Sequence, residues 1–584
     1  MRRPEDIPYG VADFKRIRNE NRCYVDKTQF IPKLERAGDF LFFVRPRRFG
    51  KSLFANMLAT YYDLNEKTNF EKYFGDLAIG KAPTANANCY QVLKLNFAEV
   101  APSSDMTLQQ AFDSHLSTRL RAMVRDHAEL YPSGFEAELS GLAATAVFEV
   151  ISNRTNKESS PIYLIVDEYD NFTNQMLRDY GNKEYREITH GQGFYRNWFK
   201  KFKENCARIF MTGVSPITMD DLTSGFNIAK NISQNPLFNS MLGFNEAECE
   251  KLYADFKGAG ELPIDADEKA IVQSFKPWYD GYCFAKESVG KECVYNSDMV
   301  LYHLSAMVET GAAPENMVDV NISTDYDKLQ IIADIQRRMG AGNVEDVMPL
   351  TEELASEGSI AFDLVPNFPA DKITEVANFR SLFFYYGILS MTGRKKGMTV
   401  FSVPNECVKK QLFNYLRDTY ERTQLPDWLG WSKLASNFAY DGEWEPFLKR
   451  LAEDYANTTP SRGGIQGEIR IQGYMQAEFS HINFYNACPE MELKRGFCDF
   501  CLFPERVHYG DVEHSYLIEL KYSKADATDA ELDQLYAEAV DQLKRYRADP
   551  KVPSLAKGTT LHQIAYIFRG TKLHRLEHLS EEQL

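Results

Sequence analysis

Phe40-Leu-Phe-Phe-Val-Arg-Pro-Arg-Arg-Phe-Gly-Lys-Ser52 decides how the first half of this chain folds. Phe40–Val44 is an apolar run of strand length, and Leu53, Met57, Leu58 and Tyr61 then recur at helical spacing. The polar residues between them lie on a strand–loop–helix turn, the context that a phosphate-binding loop requires. In that role Gly50 lets the backbone approach a phosphate, Lys51 reaches the terminal phosphates and Ser52 holds Mg²⁺. The N-terminus of the following helix favours the anion. Such a loop wants glycine eight residues from its end, and Arg45 stands there instead. Taken alone, the octapeptide also suits a basic surface turn.

Pro161-Ile-Tyr-Leu-Ile-Val-Asp-Glu-Tyr-Asp170 is an apolar strand ending in paired carboxylates. An Asp at the end of such a strand positions Mg²⁺ in phosphate-loop NTPases, and a following acid polarises the attacking water. Asp167 is assigned to the metal and Glu168 to the water, with Asp170 outside the ligand set. A strand that ends in solvated acids has the same appearance, but loop and strand in this order reinforce each other. A third strand, Arg208-Ile-Phe-Met-Thr-Gly-Val-Ser215, ends in small polar residues, so Thr212 or Ser215 is expected near the γ-phosphate or the lytic water.

With 584 residues, 44% hydrophobic and 26% charged, the chain has the make-up of roughly three or four folded domains. It lacks an apolar window of about 18 residues and an apolar stretch after Met1-Arg-Arg-Pro. A cytoplasmic protein without a membrane span is expected. Ten cysteines, scattered and mostly inside apolar runs, suit reduced core thiols. Cys498-Asp-Phe-Cys501 is a lone C-x-x-C, for which only Cys488 and His508 lie near as further zinc ligands. The net charge of −16 argues against indiscriminate coating of nucleic acid. Residues 1–60 nevertheless hold thirteen Lys and Arg against seven Asp and Glu, an excess of +6, so the remainder carries −22. Arg47 and Arg48, at the centre of that excess, suit a nucleotide, a neighbouring subunit or a nucleic-acid backbone.

An α/β fold is expected, with four segments. Residues 1–240 alternate candidate strands (40–44, 92–97, 162–166 and 209–212) with helical sequence, a doubly wound parallel-sheet pattern. Residues 241–340 read as a helical lid, opened by Asn245 with acids in the first turn. Trp278-Tyr-Asp-Gly-Tyr-Cys-Phe284 within it suits a turn with packed aromatics. Residues 341–430 read as a connecting α+β module, and 431–584 as a second α/β domain.

That last segment carries its own chemistry. Asp499 precedes the strand 500–503, and Tyr516-Leu-Ile-Glu-Leu-Lys521 is a strand on which Glu519 and Lys521 share a face. Asp499 and Glu519 on neighbouring strands are expected to share Mg²⁺, with the Leu520 carbonyl as a third oxygen ligand. The metal would activate water, and Lys521 would hold the nucleophile or the phosphorus centre. Glu468 or Glu478, on an upstream helix, would complete the site, with Glu468 preferred. Gln542, on the helix 531–547, would orient a ligand or a phosphate. Acid-x-Lys on an edge strand is also common as a solvated pair.

Together these motifs resemble a bacterial family of AAA-ATPase-like proteins with a C-terminal PD-(D/E)XK nuclease-superfamily domain. Tyr24-Val-Asp-Lys-Thr28, the loop 45–52, Val166–Asp170 and Thr212–Ser215 carry the resemblance. Ser224-Gly-Phe-Asn227, Trp278–Tyr282 and Val294-Tyr-Asn296 extend it. It implies a P-loop NTPase core with a helical lid and a restriction-endonuclease-like domain after the connecting module. The implied cofactors are ATP and Mg²⁺, or Mn²⁺ at the nuclease-like site. The implied activity is an ATP-regulated nuclease on DNA or RNA; the alternative is a nucleotide-dependent switch or binding module that does not cut. A homo-oligomer with an arginine supplied in trans is compatible with either.

Overall fold

Five short runs pair into one wholly parallel sheet. They are β1 (Phe40–Val44), β2 (Gln91–Asn96), β3 (Ile162–Asp167), β4 (Arg208–Gly213) and the two-residue β5 (Lys230–Asn231), in the order β2-β3-β4-β1-β5. The first four fall where the apolar runs place them. β3 is buried at every position, which is why its sequence is continuously apolar rather than alternating. Phe43 pairs with Thr212, Val166 with Met211, and Asn96 with Asp167, so the carboxyl ends of the central strands finish level. In sheets of this kind that edge is where ligands are received. The structure is a computed structural model. It describes residues 6–100, 106–157, 160–179, 182–189, 193–217, 229–263, 266–314, 316–319, 350, 353–354, 358–369, 372–373, 375–412, 428–458, 468–480, 482, 484–493, 496–504, 506 and 509–579.

The chain divides into two units, 1–344 with 361–407 and 345–360 with 408–584. In the first, α1 (Lys51–Tyr62) leaves β1 through Gly50, whose φ of 88° is in the left-handed region. α2 (Leu108–Asp126) starts in a Thr107–Gln110 capping box, and α3 (Ala144–Lys157) follows it. α4 (Phe194–Asn205) buries Tyr195, Trp198, Phe199 and Phe202, one helical stripe in which each ring contributes roughly 2 kcal/mol.

Three further helices of this unit are α5 (Glu246–Gly258), α6 (Glu268–Tyr279) and α7 (Ser297–Thr310). Asn245 caps α5 as its sequence suggests. Its side chain accepts from the Glu248 amide at 2.9 Å, and the Glu248 carboxylate accepts from the Asn245 amide at 2.8 Å. The same carboxylate receives Lys27 Nζ at 2.7 and 2.8 Å, and Ser240 O accepts from that ammonium at 3.1 Å. Asp26 beside it accepts from the Thr28 and Ala78 amides at 2.8 and 2.7 Å. Tyr24–Thr28 is therefore a brace between the N-terminal segment, α5 and the stretch near Ala78.

Farther along the chain, β6 (Ser359–Phe362), β7 (Ser390–Lys395) and β8 (Met398–Ser402) form a three-stranded sheet in the order β6-β8-β7. The second unit is built on β9 (Tyr485–Leu493), β10 (Gly496–Pro504), β11 (His514–Ser523), β12 (Thr560–Arg569) and β13 (Lys572–His578), in the order β13-β12-β11-β10-β9. Only β11 and β12 are parallel, because a helical crossover joins them. Its helices are α8 (Trp444–Thr458), α9 (Glu468–Ser480) and the crossover α10 (Asp529–Arg547). Strand alternation separates two cores. Ile518 and Leu520 pack with Leu451, Met475 and Phe479, whereas Leu517 packs with Ala539, Leu543 and Tyr546 of α10. No helix of the described residues is long and apolar enough to cross a membrane.

Three histidines run across this second sheet. His514 Nδ1 lies 2.9 Å from His562 Nε2, and His562 Nδ1 lies 3.2 Å from His578 Nε2. Tyr516 stacks on the central ring and Trp444 on His578. Burial pushes His562 down to about 4, with the flanking His578 and His514 adding to the effect. A group whose folded value lies below its unfolded value of about 6.5 favours the fold when neutral. That contribution is whole above the unfolded value and is lost as pH falls through the folded one. Thermal melts from pH 7.5 to 4 should show the second unit losing stability across this window, and His562→Phe should flatten the dependence.

Candidate functional site

In the first unit the strand-end level positions a loop, two acids and a hydroxyl. Arg45 does not face a ligand. Its guanidinium donates to Val44 O at 2.9 Å, Ser233 O at 2.7 Å and Phe238 O at 2.9 Å, between the rings of Phe43 and Phe284 at 4.2 and 4.1 Å. Burial lowers it to about 9, which the neighbouring Cys283 opposes. The residue standing in place of the loop's leading glycine is thus a core anchor, and the loop proper begins at Pro46. Phe49 is equally structural, set edge-on to Tyr282 at 4.8 Å and Phe284 at 5.5 Å. The aromatic turn 278–284 therefore backs the loop, as packing rather than as a ligand cage.

Lys51 Nζ donates to Pro46 O at 2.9 Å, closing the loop on itself. Burial pushes the ammonium down to about 8, opposed by the charges of Glu168, Asp167 and Asp170. Two non-glycine residues here hold left-handed backbone, Arg48 at φ 67° and Glu168 at φ 49°, and strain of this kind gathers at functional sites. Arg48 also pairs with Asp298 at 3.3 Å, and Ser297 Oγ donates to Arg48 O at 3.2 Å, so the start of α7 grips the loop.

Arg47, Arg48, Gly50, Lys51, Ser52 and Glu168 border one cavity of 610 Å³. Its remaining walls come from the segments 8–12 and 23–27 and from Leu242–Phe244, Ser297, Asp298 and Leu301. Asp167 and Thr212 are buried at the strand ends and are not among its wall residues. Asp167 accepts the Glu168 amide at 3.0 Å, and Glu168 accepts from Asn171 Nδ2 at 3.0 Å. Thr212 Oγ1 has no hydrogen-bond partner among the described residues, which places a buried hydroxyl beside the acids. Asp170 is structural: it accepts from the Ser215 and Val214 amides at 2.7 and 3.2 Å and from Asn174 Nδ2 at 3.0 Å. Ser215 is engaged in the same region, its carbonyl taking the Tyr169 hydroxyl and its Oγ the Ile217 amide. A smaller cavity of 90 Å³ shares Arg47 and Glu168 and is lined further by Asn171, Asn174 and Gln175.

The second unit brings Asp499, Glu519 and Lys521 together. β10 and β11 pair at Phe500–Ile518, Cys501–Leu517 and Leu502–Tyr516, and that register continued by one residue sets Asp499 opposite Glu519. Asp499 then takes the Leu520 amide on Oδ2 and Gln472 Nε2 on Oδ1, both at 2.8 Å. Lys521 Nζ donates to Glu519 Oε1 at 2.8 Å, whereas Glu519 Oε2 is buried without a partner among the described residues. Burial pushes Glu519 up to about 8; the Asp499 charge adds to the shift and Lys521 opposes it. Burial raises Asp499 as well, against Lys521, the Leu520 amide and Gln472.

Gln542 does not reach this cluster by any hydrogen bond among the described residues; it donates to the Tyr546 hydroxyl at 3.2 Å. Glu478 is buried on α9. The side chains of Glu468 and Cys488, and all of His508 and Ser224–Asn227, lie outside the described residues. Cys498 and Cys501 are buried thiols. Among the described residues no three His, Cys, Asp or Glu side chains gather as a ligand set. Sequence reasoning missed Gln472, Ser297, Asp298 and the wall at 8–12; none belongs to a local motif.

Residues 8–223 match the family described as predicted AAA-ATPase, and residues 466–578 match the PD-(D/E)XK nuclease superfamily. An uncharacterized protein in the vnfD 5′ region of Azotobacter chroococcum mcd 1 is 27% identical over 302 residues, 48% of this chain and 49% of that protein. The chain thus spans about half the length of this curated relative. Among solved structures, the Aeropyrum pernix ORC2 protein in ADPNP–ADP complexes aligns at 11% identity and a TM-score of 0.31, over 67% of this chain and 92% of that one. The Aeropyrum pernix ORC1 protein in complex with DNA aligns at 10% identity and 0.27, over 71% and 96%.

The packing around Arg45 yields a test. Arg45→Gly, which restores the glycine usual in phosphate loops, should destabilise the first unit by about 3 kcal/mol, because it empties a filled site and orphans three carbonyls. Chemical denaturation measures this, and an unchanged midpoint would contradict the anchor role.

Proposed function

We propose that this chain, which carries a predicted AAA-ATPase domain over residues 8–223 and a PD-(D/E)XK nuclease superfamily domain over 466–578, is an ATP-binding, Mg²⁺-dependent nuclease-like protein acting on DNA or RNA. The observation that carries the reading is the gathering of Gly50, Lys51, Ser52 and Glu168 on one cavity at the carboxyl ends of parallel strands. Lys51, buried and facing acids, holds a positive charge ready for a polyphosphate. Arg47 and Arg48 add charge at the mouth, and the amides at the start of α1 complete the cradle. Ser52 and Asp167 would hold Mg²⁺, which offsets phosphate charge when bound. Glu168 would orient water, and Thr212 offers its unused hydroxyl beside it.

In the second unit the residues also suit a divalent cation, since Glu519 Oε2 is a buried acceptor without a partner among the described residues. Asp499, Glu519 and the Leu520 carbonyl would hold Mg²⁺ or Mn²⁺, with Glu468 as a further ligand. When bound, the ion lowers the pKa of a water and offsets charge on a phosphodiester. Lys521 would hold the attacking oxygen in line and lend its charge to the phosphate. A non-cutting switch is the second reading, and it is favoured by the net charge of −16, which suits a protein that does not track along nucleic acid. A cytoplasmic location and a homo-oligomer remain part of the proposal.

Two measurements test this function. Lys51→Ala should weaken nucleotide binding by about 10-fold or more, the worth of a lost charge-assisted hydrogen bond; unchanged affinity in a titration with an ATP analogue would remove the phosphate-loop assignment. Labelled DNA and RNA incubated with Mg²⁺ or Mn²⁺, with and without ATP, should be cut by the wild type and not by Lys521→Ala. Equal traces from both proteins would leave the switch reading.

A further inference from the structure

We propose that Gln472 is a positioning residue of the second site, holding the Asp499 carboxylate in the orientation that lets it share a divalent cation with Glu519. This rests on reading that cluster as a cation site. The β10–β11 ladder runs only as far as Phe500–Ile518, so Asp499 stands just past the last paired position. Its carboxylate bridges two elements there: Oδ2 takes the Leu520 amide of β11 and Oδ1 takes Gln472 Nε2 of α9, each at 2.8 Å.

Two donors from two different elements fix the plane of the group, where either alone would let it turn about its long axis. A carboxylate has about four acceptor positions, so each oxygen retains capacity for a cation after accepting one hydrogen bond. Across the strand gap, Lys521 occupies Glu519 Oε1, and Oε2 is a buried acceptor without a partner among the described residues. Gln472 lies four residues after Glu468 on α9, so the two positions share one helix face. An amide here supplies a donor without adding a third negative charge to a buried pair. Positioning partners of this kind are worth 10–100-fold in metal affinity.

The experiment is a Mn²⁺ titration of the full-length, nucleotide-free chain, followed by electron paramagnetic resonance of the free ion, with melting temperatures taken in EDTA. Asp499→Asn should abolish binding at this site. Gln472→Leu should weaken it about 10-fold or more while leaving the EDTA melt unchanged. If Gln472→Leu lowers that melt, Gln472→Glu decides instead: it keeps the length and removes the donor, so weakened Mn²⁺ binding supports the role. Wild-type affinity in Gln472→Leu, or affinity at or above wild type in Gln472→Glu, overturns the positioning role while the cation site stands. Unchanged binding in Asp499→Asn removes the cation site itself, and the inference falls with it.

Discussion

A guanidinium sealed inside the first unit constrains everything built at the edge of its sheet. Arg45 is 2% exposed and must find acceptors among the backbone, which it does at Val44, Ser233 and Phe238. Those carbonyls come from the end of β1 and from the turns after β5, and the Phe284 ring closes the other side. One charge thus joins three stretches far apart in sequence. A buried cation left without such acceptors costs several kcal/mol, so the stretches stay assembled as a set. The loop beyond it inherits a fixed point of departure at Pro46, whose carbonyl then receives Lys51.

The two sites manage desolvated charge in opposite senses. In the first, a buried ammonium lies within the electrostatic reach of Glu168, Asp167 and Asp170, and Glu168 borders the same 610 Å³ cavity. In the second, a buried carboxylate and a half-buried one face each other, and one ammonium with two neutral donors offsets them. Glu519 Oε2 there keeps no hydrogen-bond partner among the described residues.

What could be read from residues alone depends on the range of the interactions involved. The strand–loop–helix turn at 40–61, the acids closing β3 and the shared face of Glu519 and Lys521 are local, set by period and spacing. The Asn245 cap is local too. The role of Arg45 was not legible, because two of its three partners are backbone carbonyls almost two hundred residues away, and carbonyls leave no mark on a sequence. Gln472 is hidden for a related reason: a helical glutamine is unremarkable until a strand twenty-seven residues later brings Asp499 against it. Ser297 and Asp298 form the first turn of a helix capped by Asn296, and only packing reveals that this turn grips the loop beyond β1.

Lys27 and Glu248 show what such distant pairing demands over time. Glu248 completes the cap of α5 and neutralises an ammonium from the N-terminal brace, so one side chain satisfies two obligations. Loss of Glu248 alone strands the Lys27 charge away from water, and loss of Lys27 alone leaves a half-buried carboxylate without its cation. Lineages that keep this architecture should therefore inherit the two residues jointly or replace them jointly, and the pair would surface as covariation between positions that no motif connects.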